Sequence, residues 1–254
     1  TLRSMGLQTQ IWNTPGNPVM FAEDNVRDAP TVLFYGHYDV QPAEFSPLWT
    51  SDPFVPEERD GHIYARGAID NKGQLWYTLV AIQAFREVVK DRNINIKVLI
   101  EGEEEIGSQG LSEVLDKRKK QLLADYCLIV DLDMAKKETP AVTLGVRGMG
   151  SLKLRIRNSH SDLHSGMYGG IAKNPAKILM NAIGKIWDKN GEILIPQFYD
   201  GCKGFDNNYR KNIDLEWDVI KEAKELGIKF LEKQCNKELI ENNWMRPSIE
   251  INGF

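Results

Sequence analysis

The sequence predicts an α/β fold, a mostly parallel sheet flanked by helices and followed by a smaller α+β domain, on three observations. Short β-branched and aromatic runs alternate with segments of helical period between Thr31 and Asp133. Each such run ends in acidic or imidazole side chains, as ligand-binding strands do at the carboxyl edge of a parallel sheet. From about Gly145 the character changes to an amphipathic alternation, a glycine-rich loop and polar helical stretches.

Taken in order, "TVLFY" from Thr31 is preceded by "RDAP" and reads as a buried strand running into "GHYDVQP". A proline-rich excursion, "QPAEFSPLWTSDPFVPEERDG", leads to the short strand "HIYARG". Leu75, Leu79, Ile82, Phe85, Val88 and Val89 recur at helical spacing and predict a helix from Gly73 to about Lys90. The strand "INIKVLIEG" follows, then a helix over roughly Gly110 to Leu123 and the strand "YCLIVDLD". This β-α-β-α-β order is that of a sheet with helices on its faces. Beyond a boundary near Arg147, giving domains 1–146 and 147–254, "GSLKLRIRN" alternates as a half-exposed strand would. The next helix opens at "NPAKILMNAIGKIW", with Asn174 as N-cap and Pro175 in the first turn. Polar helices are expected near Asp214 to Leu226 and Lys229 to Asn242, and "SIEI" reads as a last strand.

A chain of 254 residues, 42% hydrophobic, can bury a sizeable core. Its formal charge of −4, with Lys and Arg scattered among acids, argues against a nucleic-acid partner. No apolar stretch reaches the roughly 18 to 20 residues of a membrane span, and no signal peptide is evident, so neither a membrane partner nor export is expected and the reading is cytoplasmic. Cys127, Cys202 and Cys235 are too few and too scattered for a disulfide framework or a thiolate zinc site. The start at Thr1 without an initiator Met, and a closing strand with nothing after it to pair, predict a chain processed or truncated at both ends.

The chemistry concentrates at four places: His37 and Asp39, Asp70 in "ARGAIDNKGQ", the run Glu103, Glu104, Glu105, and Asp131 or Asp133 in "YCLIVDLD". Each has a plain structural alternative. Asp70 could cap the helix near Gly73, the glutamates could be a solvated loop, and Asp131 could close its strand. Together they point elsewhere, because several carboxylates brought to one sheet edge repel one another and are costly to desolvate unless a cation is present. One imidazole among carboxylates is a donor set that zinc, manganese or cobalt accepts. Two such ions sharing a carboxylate and a water, with a free Glu as base, would hydrolyse an amide.

The stretches "YGHYDVQP", "DGHIYARGAIDNKGQ", "EGEEEIGSQGL" and "DLHSGMYGG" resemble the successive motifs of the di-zinc metallopeptidase family that includes carnosinases, cytosolic dipeptidases, carboxypeptidase G and aminoacylase. The resemblance implies that His37 is a metal ligand and Asp39 its clamp, that Asp70 bridges two zinc ions, and that Glu104 is the general base beside the ligand Glu105. It also implies Asp131 as a ligand, with Asp133 as its rival, and a cis peptide bond between Asp70 and Asn71. His164 would bind substrate and stabilise the oxyanion. The second domain would be a lid or dimerisation domain, with a homodimer formed through it.

The long excursion after Gln41 is similar to the dipeptidase branch, which favours a short peptide as substrate. An N-acyl or N-succinyl amino acid deacylase, or a non-catalytic metal-binding fragment, are the alternatives. The family's further metal-ligand His near its C-terminus has no counterpart here, since His62 and His160 stand in other motifs. The chain is therefore expected to hold most of an active site and to be weakly active or inactive by itself.

Overall fold

In the computed structural model, which describes residues 1–26, 28–43, 48–132, 141–202, 208, 218–229 and 235–253, the chain forms two compact units, Thr1–Asp133 and Met134–Phe254. The first is built on a five-stranded sheet. Its strands are β1 (Gln8–Trp12), β2 (Val19–Asp24), β3 (Thr31–His37), β6 (Asn95–Glu101) and β7 (Tyr126–Ile129), in the spatial order β1-β2-β6-β3-β7. β6, β3 and β7 run parallel, whereas β1 and β2 form an antiparallel hairpin whose second strand pairs with β6. The sheet is thus mixed. The hairpin lies upstream of the first predicted strand, and the Trp12 and Phe21 rings stack across it at 4.6 Å.

Between β3 and the first long helix, β4 (Glu57–Arg59) and β5 (His62–Tyr64) make a separate hairpin. Its two-residue loop is Asp60-Gly61, with φ of 51° and 73°, the left-handed pair that a tight hairpin turn needs.

Helices α1 (Gly73–Val88) and α2 (Gln109–Leu122) cover opposite faces of the sheet, and the alternation of β6 shows how. Ile96, Val98 and Ile100 pack with Ala22 against Leu79 and Ile82 of α1. Leu99, on the other face, packs with Trp12, Phe21 and Leu33 against Leu111 and Val114 of α2. Fully burying such side chains stabilises by about 1.5–3 kcal/mol each. Val88, predicted to face the core, is exposed at the fraying end of α1. Lys97 shares the α2 face of β6, and its buried ammonium donates to the carbonyls of Gln121 (2.6 Å) and Leu123 (2.7 Å), closing the C-terminal end of that helix.

The second unit carries α3 (Ser165–Tyr168), α4 (Pro175–Ile183), α5 (Val219–Leu226) and α6 (Asn236–Trp244) among the described residues. Asn174 caps α4 as expected, its side chain accepting from the amides of Ala176 (2.9 Å) and Lys177 (3.3 Å). α6 begins later than the predicted Lys229, at a cap formed by Cys235, whose amide donates to Glu238 at 2.9 Å. The predicted strands "GSLKLRIRN" and "SIEI" are not formed. A strand is stabilised by its ladder partner, and among the described residues of this unit the only β-type pairing is the isolated bridge between Trp187 and Ile193.

Candidate metal centre

β3 ends at His37, whose side chain is completely buried at the carboxyl edge of the sheet. Asp39 lies beyond the strand, so the period of two does not carry it to the same face. The turn after the strand brings it back instead, with Oδ1 3.2 Å from His37 Nδ1 and the Asp39 carbonyl also at 3.2 Å. Both neighbours are acceptors, so Nδ1 carries a proton and the lone pair of a neutral imidazole is left on Nε2.

Nε2 has no hydrogen-bond partner among the described residues. It faces Asp70 Oδ1 at 3.2 Å, Asp131 Oδ2 at 3.6 Å and Glu104 Oε2 at 3.9 Å. A lone pair opposed by three carboxylates is repulsive unless a proton or a cation lies between them. The ligand atoms of His37, Asp70 and Asp131 all fall within 4.8 Å of one another, so these three could hold a metal ion. The set of one nitrogen and two oxygens suits a divalent transition metal.

Each carboxylate is positioned by a different device. Asp70 belongs to the wide π-type turn Ala68–Lys72 before α1 and is no cap, because the first residue of α1 is preceded by Lys72 and no side chain caps it. Its peptide bond to Asn71 is cis. Gly67, at φ 80°, admits this turn beside Val40, where a β-carbon would collide with the valine side chain. Asn71 is fully buried and donates to the Val130 carbonyl at 2.9 Å and to Asp131 Oδ1. With Oδ1 so engaged, Oδ2 is the oxygen that Asp131 presents to His37. Asp133, the alternative ligand, lies outside the described residues.

The glutamate run is neither a solvated loop nor a uniform cluster. Glu103 Oε2 accepts the Gly110 amide at 2.8 Å and so caps α2. Glu104 and Glu105 enter a short 3₁₀ turn, Glu104–Ile106, and their amides donate to Asp39 Oδ1 (3.3 Å) and Oδ2 (3.1 Å). The Glu105 carboxylate is turned toward Gln41, which donates to its Oε2 at 2.8 Å, and it stands apart from the group around His37. Glu101, closing β6, is buried as well and accepts the Tyr35 hydroxyl at 2.5 Å.

Electrostatics mark the same place. Burial alone would lower the His37 imidazole, but the charges of Asp131, Glu104, Asp39 and Asp70 together hold it above its ordinary 6.5. Burial, with Asp131 and Glu105 nearby, pushes the Glu104 carboxyl above its ordinary 4.5 despite the opposing effect of His37. Asp131 is raised by burial against the hydrogen bond from Asn71. Burial and the Glu101 carboxylate keep the Tyr35 hydroxyl protonated, and therefore a donor, far beyond neutral pH.

His164 belongs to the second unit. It caps α3, its Nδ1 accepting the Gly166 amide at 3.0 Å, so a neutral ring carries its proton on Nε2. Sequence reasoning named Asn71 only for its peptide bond to Asp70 and gave no role to its side chain, to Gln41 or to Glu101. The first directly follows Asp70 and could have been suspected as its neighbour, while the other two carry no spacing signal.

Residues 33–246 match the family described as Peptidase family M20/M25/M40. The chain is 36% identical over 246 residues to the Beta-Ala-His dipeptidase of Mus musculus, covering 94% of this chain and 50% of that protein. It is 31% identical to the Cys-Gly metallodipeptidase dug1 of Schizosaccharomyces pombe, covering 95% and 52% respectively. Among solved structures, human carnosine dipeptidase 1 superposes with a TM-score of 0.80 at 34% identity, over 99% of this chain and 56% of the other. An M20 family metallo-carboxypeptidase of Sulfolobus solfataricus gives 0.83 at 33%, over 99% and 58%. The chain spans about half the length of the curated relatives it matches.

Proposed function

The chain belongs to peptidase family M20/M25/M40, and from that premise we propose that the protein it represents hydrolyses the amide bond of short peptides with the help of bound zinc. The observation that carries this reading is the buried, unpartnered Nε2 of His37 facing carboxylates from three separate parts of the chain. His37, Asp70 and Asp131 would hold one ion, and Asp70 with Glu105 would contribute to a second. Manganese or cobalt could stand in for zinc in such a donor set.

Bound there, a divalent ion supplies Lewis acidity and lowers the pKa of water. The remaining work falls to this chain's side chains. Asp39 keeps the Nδ1 proton in place and the ring oriented. Glu104, raised by burial and 3.9 Å from His37 Nε2, is a base poised to take the proton of the attacking water and pass it to the leaving amine. His164, with its proton on Nε2, is suited to donate to the oxyanion or to bind substrate.

The names of the dipeptidase relatives support a dipeptide as substrate. The second unit serves as a lid and dimerisation domain in this reading. Val142, Leu144, Val146, Met149 and Leu152 are 80 to 98% exposed, which supports a homodimer through that unit. Three free, exposed thiols support a reducing compartment such as the cytosol. Among the described residues no helix is long and apolar enough to cross a membrane.

Assay of the whole protein with zinc on a dipeptide panel and on an N-acyl amino acid panel tests the proposal. Turnover of dipeptides is expected. Turnover confined to the acyl panel would make the protein a deacylase, and metal binding without turnover of either would leave only a metal-binding role.

A further inference from the structure

Glu101 is a buried carboxylate that the proposed chemistry does not use. It closes β6 with a side chain 1% exposed, and its Oε1 accepts both the Tyr35 hydroxyl (2.5 Å) and the Ser108 hydroxyl (2.8 Å). Its main-chain oxygen accepts the Tyr38 amide at 2.8 Å. A carboxylate taken out of water is costly unless its hydrogen bonds repay the loss. Here the bonds join β3, β6 and the start of α2.

Between Glu101 and Ser108 the chain leaves the sheet, makes the turn that bears Glu104 and Glu105, and returns. Ser108 stands at the N-cap of α2, where a serine hydroxyl ordinarily accepts a helix amide. It makes no such bond. Its hydroxyl goes to Glu101, and Glu103 takes over the cap by accepting the Gly110 amide at 2.8 Å. The Ser108 amide in turn donates to the Glu103 carbonyl at 2.7 Å, so movement of Ser108 is transmitted directly to the turn.

We propose that Glu101 is a positioning residue: with Tyr35 and Ser108 it staples the two ends of the 102–107 excursion and thereby sets where Glu104 and Glu105 stand. The staple holds the turn from the sheet side, while Asp39 holds the Glu104 and Glu105 amides from the metal side. Its catalytic meaning rests on the proposed roles of Glu104 and Glu105, but the clasp itself does not.

Hydrogen exchange of the full metal-free chain, read on the peptide covering 102–108, tests it with Ser108→Ala, Tyr35→Phe, Glu101→Ala and Glu101→Gln. The first three are expected to speed exchange of the Glu104 and Glu105 amides about tenfold, the effect of losing one charge-assisted hydrogen bond. The Val98 and Leu99 amides inside the sheet should keep their protection. Glu101→Gln should speed exchange less than Glu101→Ala does, because its amide oxygen still accepts the same two hydroxyls, though without the charge. Unchanged exchange in Ser108→Ala and Tyr35→Phe overturns the proposal even if Glu101→Ala fails to fold. So does acceleration spread evenly over the sheet, which would make Glu101 a general support of the core. Cobalt(II) absorption of the parent chain separates this from the metal reading: a parent that takes up no cobalt refutes the metal site and leaves the exchange result to judge the staple.

Discussion

Asp39 lies 3.2 Å from the Nδ1 of His37 and with its two oxygens also receives the amides of Glu104 and Glu105. One carboxylate therefore orients the imidazole and anchors the turn carrying the proposed base. Asp39→Ala is expected to weaken zinc binding by about 10- to 100-fold, as loss of a partner behind a metal-binding histidine does. It should also release the 103–106 amides to exchange. Competition titration with a chelator and hydrogen exchange on the same variant check the two effects. Zinc affinity equal to that of the parent would remove Asp39 from the site.

Glu104 and Glu105 are adjacent in sequence but not in surroundings. Glu104 Oε2 stands 3.9 Å from His37 Nε2, whereas Glu105 is turned to Gln41. In the whole protein, Glu104→Gln is expected to lower turnover by at least about 100-fold, the usual effect of removing a general base, with metal content nearly intact. Glu105→Ala should lose the second ion of the whole protein and keep the one held by His37, Asp70 and Asp131. Steady-state kinetics and elemental analysis of both variants decide; the reverse pattern, an ion lost from Glu104→Gln and both kept by Glu105→Ala, would show that the two roles are exchanged.

Much of this was legible in the sequence because it depends on local pattern. The helices α1, α2 and α4 follow from apolar period and caps, and the ends of β3, β6 and β7 follow from runs that close in polar residues. What was missed depends on tertiary pairing. β1 and β2 carry an ordinary alternation that gains meaning only when β2 lies beside β6. "GSLKLRIRN" has an equally good alternation and no ladder, since period alone does not supply a partner. Resemblance named Glu104 as base and Glu105 as ligand, but the contacts each glutamate of the run makes were hidden for the same reason. Nothing in three consecutive identical residues says that one will cap α2, one will face His37 and one will turn to Gln41.

The raised pKa values give the metal-free chain a definite pH response. A group held above its unfolded value binds its proton more tightly when folded, so its stabilisation is complete below the unfolded value and lost as pH rises through the folded one. Asp131, Glu104 and His37 all shift upward, from ordinary values of 3.8, 4.5 and 6.5. In the presence of a chelator, thermal stability attributable to this site is therefore expected to fall as pH rises from 3.8 through and beyond 6.5. Zinc should act in the opposite sense, since it competes with protons for the same ligands and binds better as they leave. Thermal melts across that range, with chelator and with zinc, measure both slopes. The site-specific part is the difference between the parent and a His37→Ala variant, and a difference that grows in the parent's favour with pH in chelator would contradict the shifts.

The geometry also sets how many ions the chain should retain. His37, Asp70 and Asp131 bring one nitrogen and two oxygens within 4.8 Å of one another, three protein ligands with room for water, the arrangement of a catalytic zinc. A second ion on the far side of Asp70 would draw on Glu105, whose carboxylate is engaged by Gln41 at 2.8 Å and whose backbone is pinned to Asp39. Without an imidazole of its own among the described residues, that second position would offer two like-charged carboxylates, which repel each other and bind zinc weakly. One tightly held zinc per chain is expected after exhaustive dialysis, lost on His37→Ala and retained on Glu105→Ala. Elemental analysis of the dialysed parent and both variants tests this. Two retained ions in the parent, with one lost on Glu105→Ala, would mean that Glu105 leaves Gln41 when metal is offered and that the second position is built as firmly as the first.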